Sequence, residues 1–360
     1  MDKKYEKLAQ RLSKYMSIEA ISRFEEPVAK ELRNNISSNY QVSRDKLGSI
    51  VFFKKSKKAN APKIMIAAHM DEVGYMVRSI KDNGNILVTP IGGLWPTVVI
   101  GTKAILETSE GKRFNGVFGH TSIHILDREK INEAIKTNDL FVDFGFLTKK
   151  EVEEAGIQIG DKIFLTGETI EFANNIIGGK AMDNRAGVTA LEFIANNLAD
   201  VELDSDLYLV GTVQEEVGTR GAKTSVSIIN PDVAFALDTG AAHDTTGCKP
   251  GTPVLGKGVN ILVKDGGTLP DPKLIKDLMN IAKSKEILAY KYVAEGGGTD
   301  AAELQFAPGG ASVTTISLPQ RYLHSPIGLC SLVDIDAAIN LLTEFCKEYT
   351  VEKHEELKYK

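Results

Sequence analysis

Three short apolar runs, far apart in the chain, each end on side chains that bind metals or protons. The run 64–68 leads into His69-Met70-Asp71, the run 207–213 into Gln214-Glu215-Glu216, and the run 233–237 into Asp238. Buried parallel strands read as runs of this kind, and open α/β sheets carry their functional groups just outside the carboxyl ends of the strands. The chain is thereby constrained to a sheet in which several strand ends converge on one polar site. Two further clusters, Ala181-Met182-Asp183-Asn184-Arg185 and Arg321-Tyr322-Leu323-His324-Ser325, supply one more Asp and one more His. The candidate set is His69, Asp183, Glu215, Glu216, Asp238 and His324.

This set has the composition of a two-metal hydrolase. Two zinc-like ions side by side need a carboxylate that bridges them, further N or O ligands for each, and a position left open for water. Asp183 could bridge, with His69 and Asp238 holding one ion and Glu216 and His324 the other. Glu215 is then left over, and a carboxylate beside the metals that does not ligate them suits a general base. Neighbouring side chains of an extended strand point to opposite faces, so a turn is needed to send both glutamates to one site. Gly218 and Gly221 make such a turn plausible. Asp71, two residues after His69, is placed to accept the second ring N–H of that histidine and fix its tautomer.

Each piece also has a plainer reading. A lone His after a strand is more often structural than a ligand, a Glu pair is usually a solvated patch, and an Asp in this position commonly caps a turn. Recurrence shifts the balance. The groups sit at strand ends rather than in charge runs, and burying unpaired carboxylates is costly without a cation.

Residues 5–15 and 27–35 read as amphipathic helices, followed by a β-segment at 50–53 and the buried strand at 64–68. From about residue 73 the pattern becomes short strands at 75–80, 86–90, 98–106, 114–118 and 162–165. Asp82-Asn83-Gly84-Asn85 and Ser109-Glu110-Gly111-Lys112 are turn signals at the spacing of an all-β unit. Helices are expected at 184–198, 272–289, 299–306 and 333–349. The expected architecture is an α/β domain, with a mixed sheet flanked by helices, formed by residues 1–72 and 166–360. A small β-barrel-like domain, residues 73–165, interrupts it and contributes no obvious ligand. The glycines Gly296-Gly297-Gly298 lack the Gly-Lys-Ser/Thr ending and the dinucleotide spacing of phosphate loops, and read instead as a close backbone approach, with Thr299 or Asp300 capping the next helix.

At this point the residues resemble a known family. Ala68-His69-Met70-Asp71-Glu72-Val73-Gly74, Lys180-Ala181-Met182-Asp183-Asn184-Arg185, Gln214-Glu215-Glu216-Val217-Gly218, Gly297-Gly298-Thr299-Asp300-Ala301 and Arg321-Tyr322-Leu323-His324-Ser325 are similar to the motifs of the glutamyl and tetrahedral aminopeptidases. The resemblance covers essentially the whole chain in motif order. It implies a cytosolic dinuclear metallopeptidase acting on short peptides. One metal would be held by His69, Asp183 and Asp238, the other by Asp183, Glu216 and His324, with Glu215 as base. It places the glycine run at the wall of the substrate pocket and implies a large hollow homo-oligomer, a dodecamer. There is one departure. The family often shows Pro-Pro-His-Leu in its inserted domain, where this chain has Gly119-His120-Thr121-Ser122-Ile123-His124. His120 and His124 are read as loop residues with an open role at a subunit contact, rather than as metal ligands.

Composition agrees with an enzyme and narrows the alternatives. With 360 residues and 42% hydrophobic content, the chain can bury one large core and a smaller one. The formal charge of −5, from 48 acidic against 43 basic residues, and the lack of a basic tract argue against a nucleic-acid binder. No apolar stretch approaches the roughly 20 residues that cross a bilayer, so no membrane partner and a cytoplasmic location are expected. Cys248, Cys330 and Cys346 have neither zinc-finger nor redox spacing and are expected to be reduced. The expected cofactor is a pair of divalent metal ions, zinc in the first place, with cobalt or manganese as alternatives. Two other functions stay open: an amidohydrolase on the same scaffold, such as a deacylase or carboxypeptidase, and a non-catalytic assembly protein that keeps metal to hold its fold. The preferred N-terminal residue, acidic, basic or apolar, is not legible.

Overall fold

In the computed structural model, which describes residues 1–359, the strand Lys63–His69 lies in the middle of a mixed eleven-stranded sheet. Successive side chains of a strand face opposite ways, and here both faces are apolar. Ile64, Ile66 and Ala68 join a core with the helices Glu6–Met16, Glu26–Asn35, Met182–Leu198, Pro272–Ser284 and Leu332–Glu348. Met65 and Ala67 point the other way, onto Arg220–Ile229 and Ala301–Leu304. Burial on both sides is why the strand reads as a continuous apolar run. Each fully buried Ile or Leu contributes about 1.5–3 kcal/mol. The helix Glu6–Met16 shows the complementary pattern, burying Leu8, Ala9, Leu12, Tyr15 and Met16 along one stripe.

Asp206–Thr212, Lys63–His69, Val233–Ala241 and Ser312–Arg321 are parallel neighbours in that order, so their carboxyl ends lie along one edge. Val233–Ala241 pairs with Lys63–His69 only from Val233 to Ala236, yet stays paired with Ser312–Arg321 as far as Ala241. The sheet therefore parts between His69 and Asp238. Asp238 sits inside a strand that continues to Ala241 rather than at its end, and its side chain reaches the opening because the neighbouring strand has left it.

The chain leaves the sheet after His69 and forms a closed six-stranded barrel. The strand order is Gly74–Ile80, Ile86–Ile91, Phe141–Asp143, Arg113–Phe118, Lys103–Glu107 and Lys162–Leu165. Tyr75, Val77, Val88, Leu106, Phe118, Val142 and Ile163 fill a core of its own. The sequence-based strand at 98–106 begins later than expected, at Lys103, because Pro96–Val98 forms a 3-10 turn and Gly101 takes φ +77°. The helix expected over 272–289 ends at Ser284. Glu286 adopts φ +56° and Ala289–Val293 becomes a strand alongside Val259–Lys264. The helix expected at 299–306 is reduced to Ala301–Leu304, with Asp300 at its N-cap position making no side-chain cap and the Thr299 hydroxyl accepting the Ala301 N–H at 3.2 Å. No helix among the described residues is long and apolar enough to cross a membrane.

Candidate metal centre and active site

His69 is the last residue of its strand and is almost wholly buried. Its Nδ1 lies 3.1 Å from the carbonyl oxygen of Asp71 and 3.5 Å from the Asp71 carboxylate, so backbone and side chain share that ring N–H. Nε2 is then directed at Asp183 Oδ1, 3.1 Å away, and Asp238 Oδ1, 3.4 Å away. His324 repeats the arrangement. Its Nδ1 donates to the carbonyl of Gly93 at 2.6 Å, and Nε2 faces Asp183 Oδ2 at 3.1 Å and Glu216 Oε2 at 3.4 Å. Each oxygen of Asp183 thus meets a different imidazole.

Asp183 owes its place to local structure. Asp183 and Asn184 have non-helical backbone angles at the start of Met182–Leu198, and the peptide between them is cis. The Asn184 side chain accepts the Gly187 N–H at 2.9 Å and donates to the Leu237 carbonyl at 2.8 Å, tying this segment to the strand that carries Asp238. On either side of Asp183, the buried Lys180 and Arg185 both bind Glu72, at 2.8 and 3.1 Å. Arg185 also donates to the carbonyls of Tyr15, Ile18 and Met70.

After the strand Asp206–Thr212 the chain turns sharply. Gln214 has φ +57°, and the N–H groups of Gly218 and Thr219 both donate to the Glu215 carbonyl at 2.9 Å. The Asp71 carboxylate accepts the N–H of Glu215 at 3.0 Å and of Glu216 at 3.1 Å, so it carries this turn as well as His69. Glu216 faces His324, while one of its oxygens, Oε1, is buried with no hydrogen-bond partner.

The electrostatics are those of anions crowded around two imidazoles. Burial alone would lower both histidine pKa values, but it is outweighed. The charge of Asp238 and hydrogen bonds to Asp183 hold His69 well above its ordinary range, and Asp183 and Glu216 raise His324 to about 11. Burial, with the neighbouring carboxylates adding to it, raises Glu216 to about 7 and pushes Glu215 and Asp238 upward. Asp183 is lowered: its burial is overcome by hydrogen bonds from the two histidines. Two donor sets form here, His69 with Asp183 and Asp238, and Asp183 with Glu216 and His324, the ligand atoms of each lying within 4.8 Å of one another. Glu215 belongs to neither set. His120 and His124 lie on an exposed loop of the barrel, outside both sets.

Sequence reasoning missed the Gly93 carbonyl, which brings the barrel to the site: the insert was expected to contribute no obvious ligand, and it contributes the hydrogen-bond partner of His324. Gly92 lies as close, with φ +89° and no room for a side chain: a Cβ there would come 2.7 Å from Val73 and 3.2 Å from Glu216. The Gly-Gly pair carried only a turn signal.

Fold and site together are those of an α/β protein that gathers two adjacent metal-type donor sets at its strand ends. The chain belongs to the M42 glutamyl aminopeptidase family, whose model matches residues 48–341. It is 40% identical over 345 residues to the glutamyl aminopeptidase of Lactococcus lactis, covering 95% of this chain and 96% of that one. Among solved structures, an aminopeptidase from the archaeon Desulfurococcus kamchatkensis superposes with a TM-score of 0.92 at 35% identity, over 98% of both chains. The Pyrococcus horikoshii TET1 peptidase, described as assembling into a tetrahedron or a large octahedral shell, superposes with a TM-score of 0.85 at 28% identity, over 95% of this chain and all of that one.

Proposed function

We propose that this chain is a dinuclear metal-dependent aminopeptidase that releases the N-terminal residue from short peptides. One observation carries the reading: two ligand sets share Asp183, and Glu215 stands beside them in neither. The donors fit divalent ions. Each ring uses Nδ1 on a backbone carbonyl, so in the neutral imidazole the Nε2 lone pair points at two carboxylate oxygens, an arrangement that repels unless a cation lies between. The unpartnered Glu216 Oε1 and the carboxylates raised by burial point the same way.

His69, Asp183 and Asp238 would hold one ion, and Asp183, Glu216 and His324 the other. When bound, such ions polarise the scissile carbonyl and acidify a water molecule. Zinc suits this mixture of nitrogen and oxygen donors, as do cobalt and manganese. Glu215 takes the proton from the attacking water and passes it to the leaving amine. Asp71 holds the Glu215 and Glu216 amides and, with its own carbonyl, the His69 ring. The carboxylate-rich rim receives the substrate's α-ammonium group. By analogy with the TET1 peptidase, also described as a dodecamer, the chain assembles into a homo-oligomer, a dodecamer, with residues 73–165 as the domain that governs assembly and access; a cytoplasmic location belongs to the same reading.

The rival is a deacylase on the same scaffold, which has no need of a free amine. The decisive comparison is one peptide, free and N-acetylated, offered to the metal-loaded protein with products identified by mass, beside a panel of aminoacyl nitroanilides. Loss of a single N-terminal residue from the free peptide alone is expected. Equal cleavage of the acetylated peptide, or release of acetate, makes the protein a deacylase; no turnover of any substrate favours a non-catalytic role.

A further inference from the structure

The turn that carries Glu215 and Glu216 is held from below by a part of the chain that no motif of the site includes. Residues 20–25, between the helices Glu6–Met16 and Glu26–Asn35, run alongside residues 70–72. Ile21 bridges Glu72, the Glu72 N–H donates to the Ala20 carbonyl at 3.0 Å, and the Ala20 N–H donates to Glu72 Oε1 at 2.9 Å. This places two buried side chains beneath the turn. The Ser22 hydroxyl donates to Asp71 Oδ2 at 2.6 Å, and Glu25 Oε1 accepts the Gln214 N–H at 3.0 Å and the Arg23 N–H at 2.7 Å.

Three consecutive amides, Gln214, Glu215 and Glu216, are thus each bound by a buried carboxylate oxygen, the first by Glu25 and the next two by Asp71. Gln214 is a non-glycine residue in the left-handed region, φ +57°, a conformation that persists only when its surroundings impose it. Buried amides need acceptors. Glu25 meets this need at the residue where the chain reverses, and Ser22 orients the carboxylate that meets it at the next two.

We propose that Ser22 and Glu25 are positioning residues for this reaction: through Asp71 and the Gln214 amide they hold Glu215 and Glu216 at the angles from which one acts as base and the other as ligand. The inference rests on those two roles. The role requires an acceptor oxygen on residue 25 rather than its charge, which sets the test. Glu25→Gln keeps an oxygen in place, and Glu25→Ala removes it.

The measurements are kcat and KM on a free peptide, and metal affinity by competition with a chromophoric chelator, with Glu215→Gln as a parallel control. Glu25→Ala is expected to lower kcat about 10- to 100-fold with little change in KM. It should also weaken one of the two metal sites while sparing the other. Glu25→Gln should restore near-normal values, and Ser22→Ala, the mildest change, should lower kcat several-fold. Unchanged kcat and metal affinity in Glu25→Ala and Ser22→Ala, with Glu215→Gln inactive, overturns the positioning role alone. Glu25→Gln as damaging as Glu25→Ala overturns the acceptor argument, and full activity in Glu215→Gln removes the base assignment instead. If Glu25→Ala does not fold, Ser22→Ala and Glu25→Gln still decide, since the first must impair turnover and the second must not.

Discussion

Adding one methyl group to the barrel at Gly92 tests whether the inserted domain shapes the metal centre. Gly92 has φ +89°, and an Ala Cβ would sit 2.7 Å from Val73 Cγ1, 3.2 Å from Glu216 Cβ and 3.3 Å from Glu216 Oε2. A left-handed backbone costs an L-residue about 1–2 kcal/mol, and forcing a methyl into a filled space costs about 1–3 kcal/mol. The total of about 2–5 kcal/mol is relieved by shifting Val73 and Glu216 together or by lifting the Gly92-Gly93 turn away from His324. Both movements disturb the same ligand set, and neither touches Asp238. At 1.4 kcal/mol per tenfold, Gly92→Ala should weaken one of the two metal sites by roughly 30-fold to a few thousand-fold while leaving the other near normal. Calorimetric titration of the metal-free variant should then show one strong binding step where two are expected of the original protein. Two steps of unchanged affinity would refute the reasoning.

The adjacent glutamates should separate cleanly: Glu215→Gln keeps both metals with kcat lowered about 10²- to 10⁴-fold, whereas Glu216→Ala loses a metal by elemental analysis, and the reverse pattern would exchange their roles. Arg185→Met deprives buried Glu72 of one partner and three carbonyls of a donor, so urea unfolding should report a loss of about 3–5 kcal/mol; a loss under 1 kcal/mol would contradict it. Asp300 is buried beside the site with Oδ1 unpartnered, and burial raises it from 3.8 to about 7. Its folded form keeps a proton that the unfolded chain releases, so its contribution to the stability of the metal-free protein is full below about pH 4 and is lost as pH rises to about 7. Asp300→Asn should make the stability-against-pH slope shallower across that window by up to about 1.4 kcal/mol per pH unit, and an unchanged slope would refute the assignment.

The parts of this fold that were legible in the sequence are those where side-chain type tracks environment. Ile64 to Ala68 reads as a strand because both faces are covered, and the barrel announces itself through Asp82-Asn83-Gly84-Asn85 and Ser109-Glu110-Gly111-Lys112. The strand Phe141–Asp143 escaped notice because three residues give no period, and the start of Ala289–Val293 was hidden because Ile287, Leu288 and Ala289 continue the apolar character of the helix before them, which was carried on to Ala289. At the candidate site, the histidines and carboxylates of the two donor sets declare themselves by residue type. The carbonyl of Gly93 and the amides of Gln214, Glu215 and Glu216 do not, because every residue carries the same backbone groups and only the fold selects which are used.

The barrel's first and last strands are neighbours, with Tyr75 opposite Ile163. That pairing changes how the surrounding domain can fold. His69 and Asp183 are 114 positions apart, and joining them through a slack chain of that length would carry a large loop-closure entropy. Once the barrel has closed, its entry and exit points are held side by side, and the excursion acts on the rest of the chain as a short connection. The insert can therefore complete itself from its own contacts and deliver Val73 and Thr166 to the sheet together. On this view, deleting a single barrel strand would slow formation of the whole α/β domain.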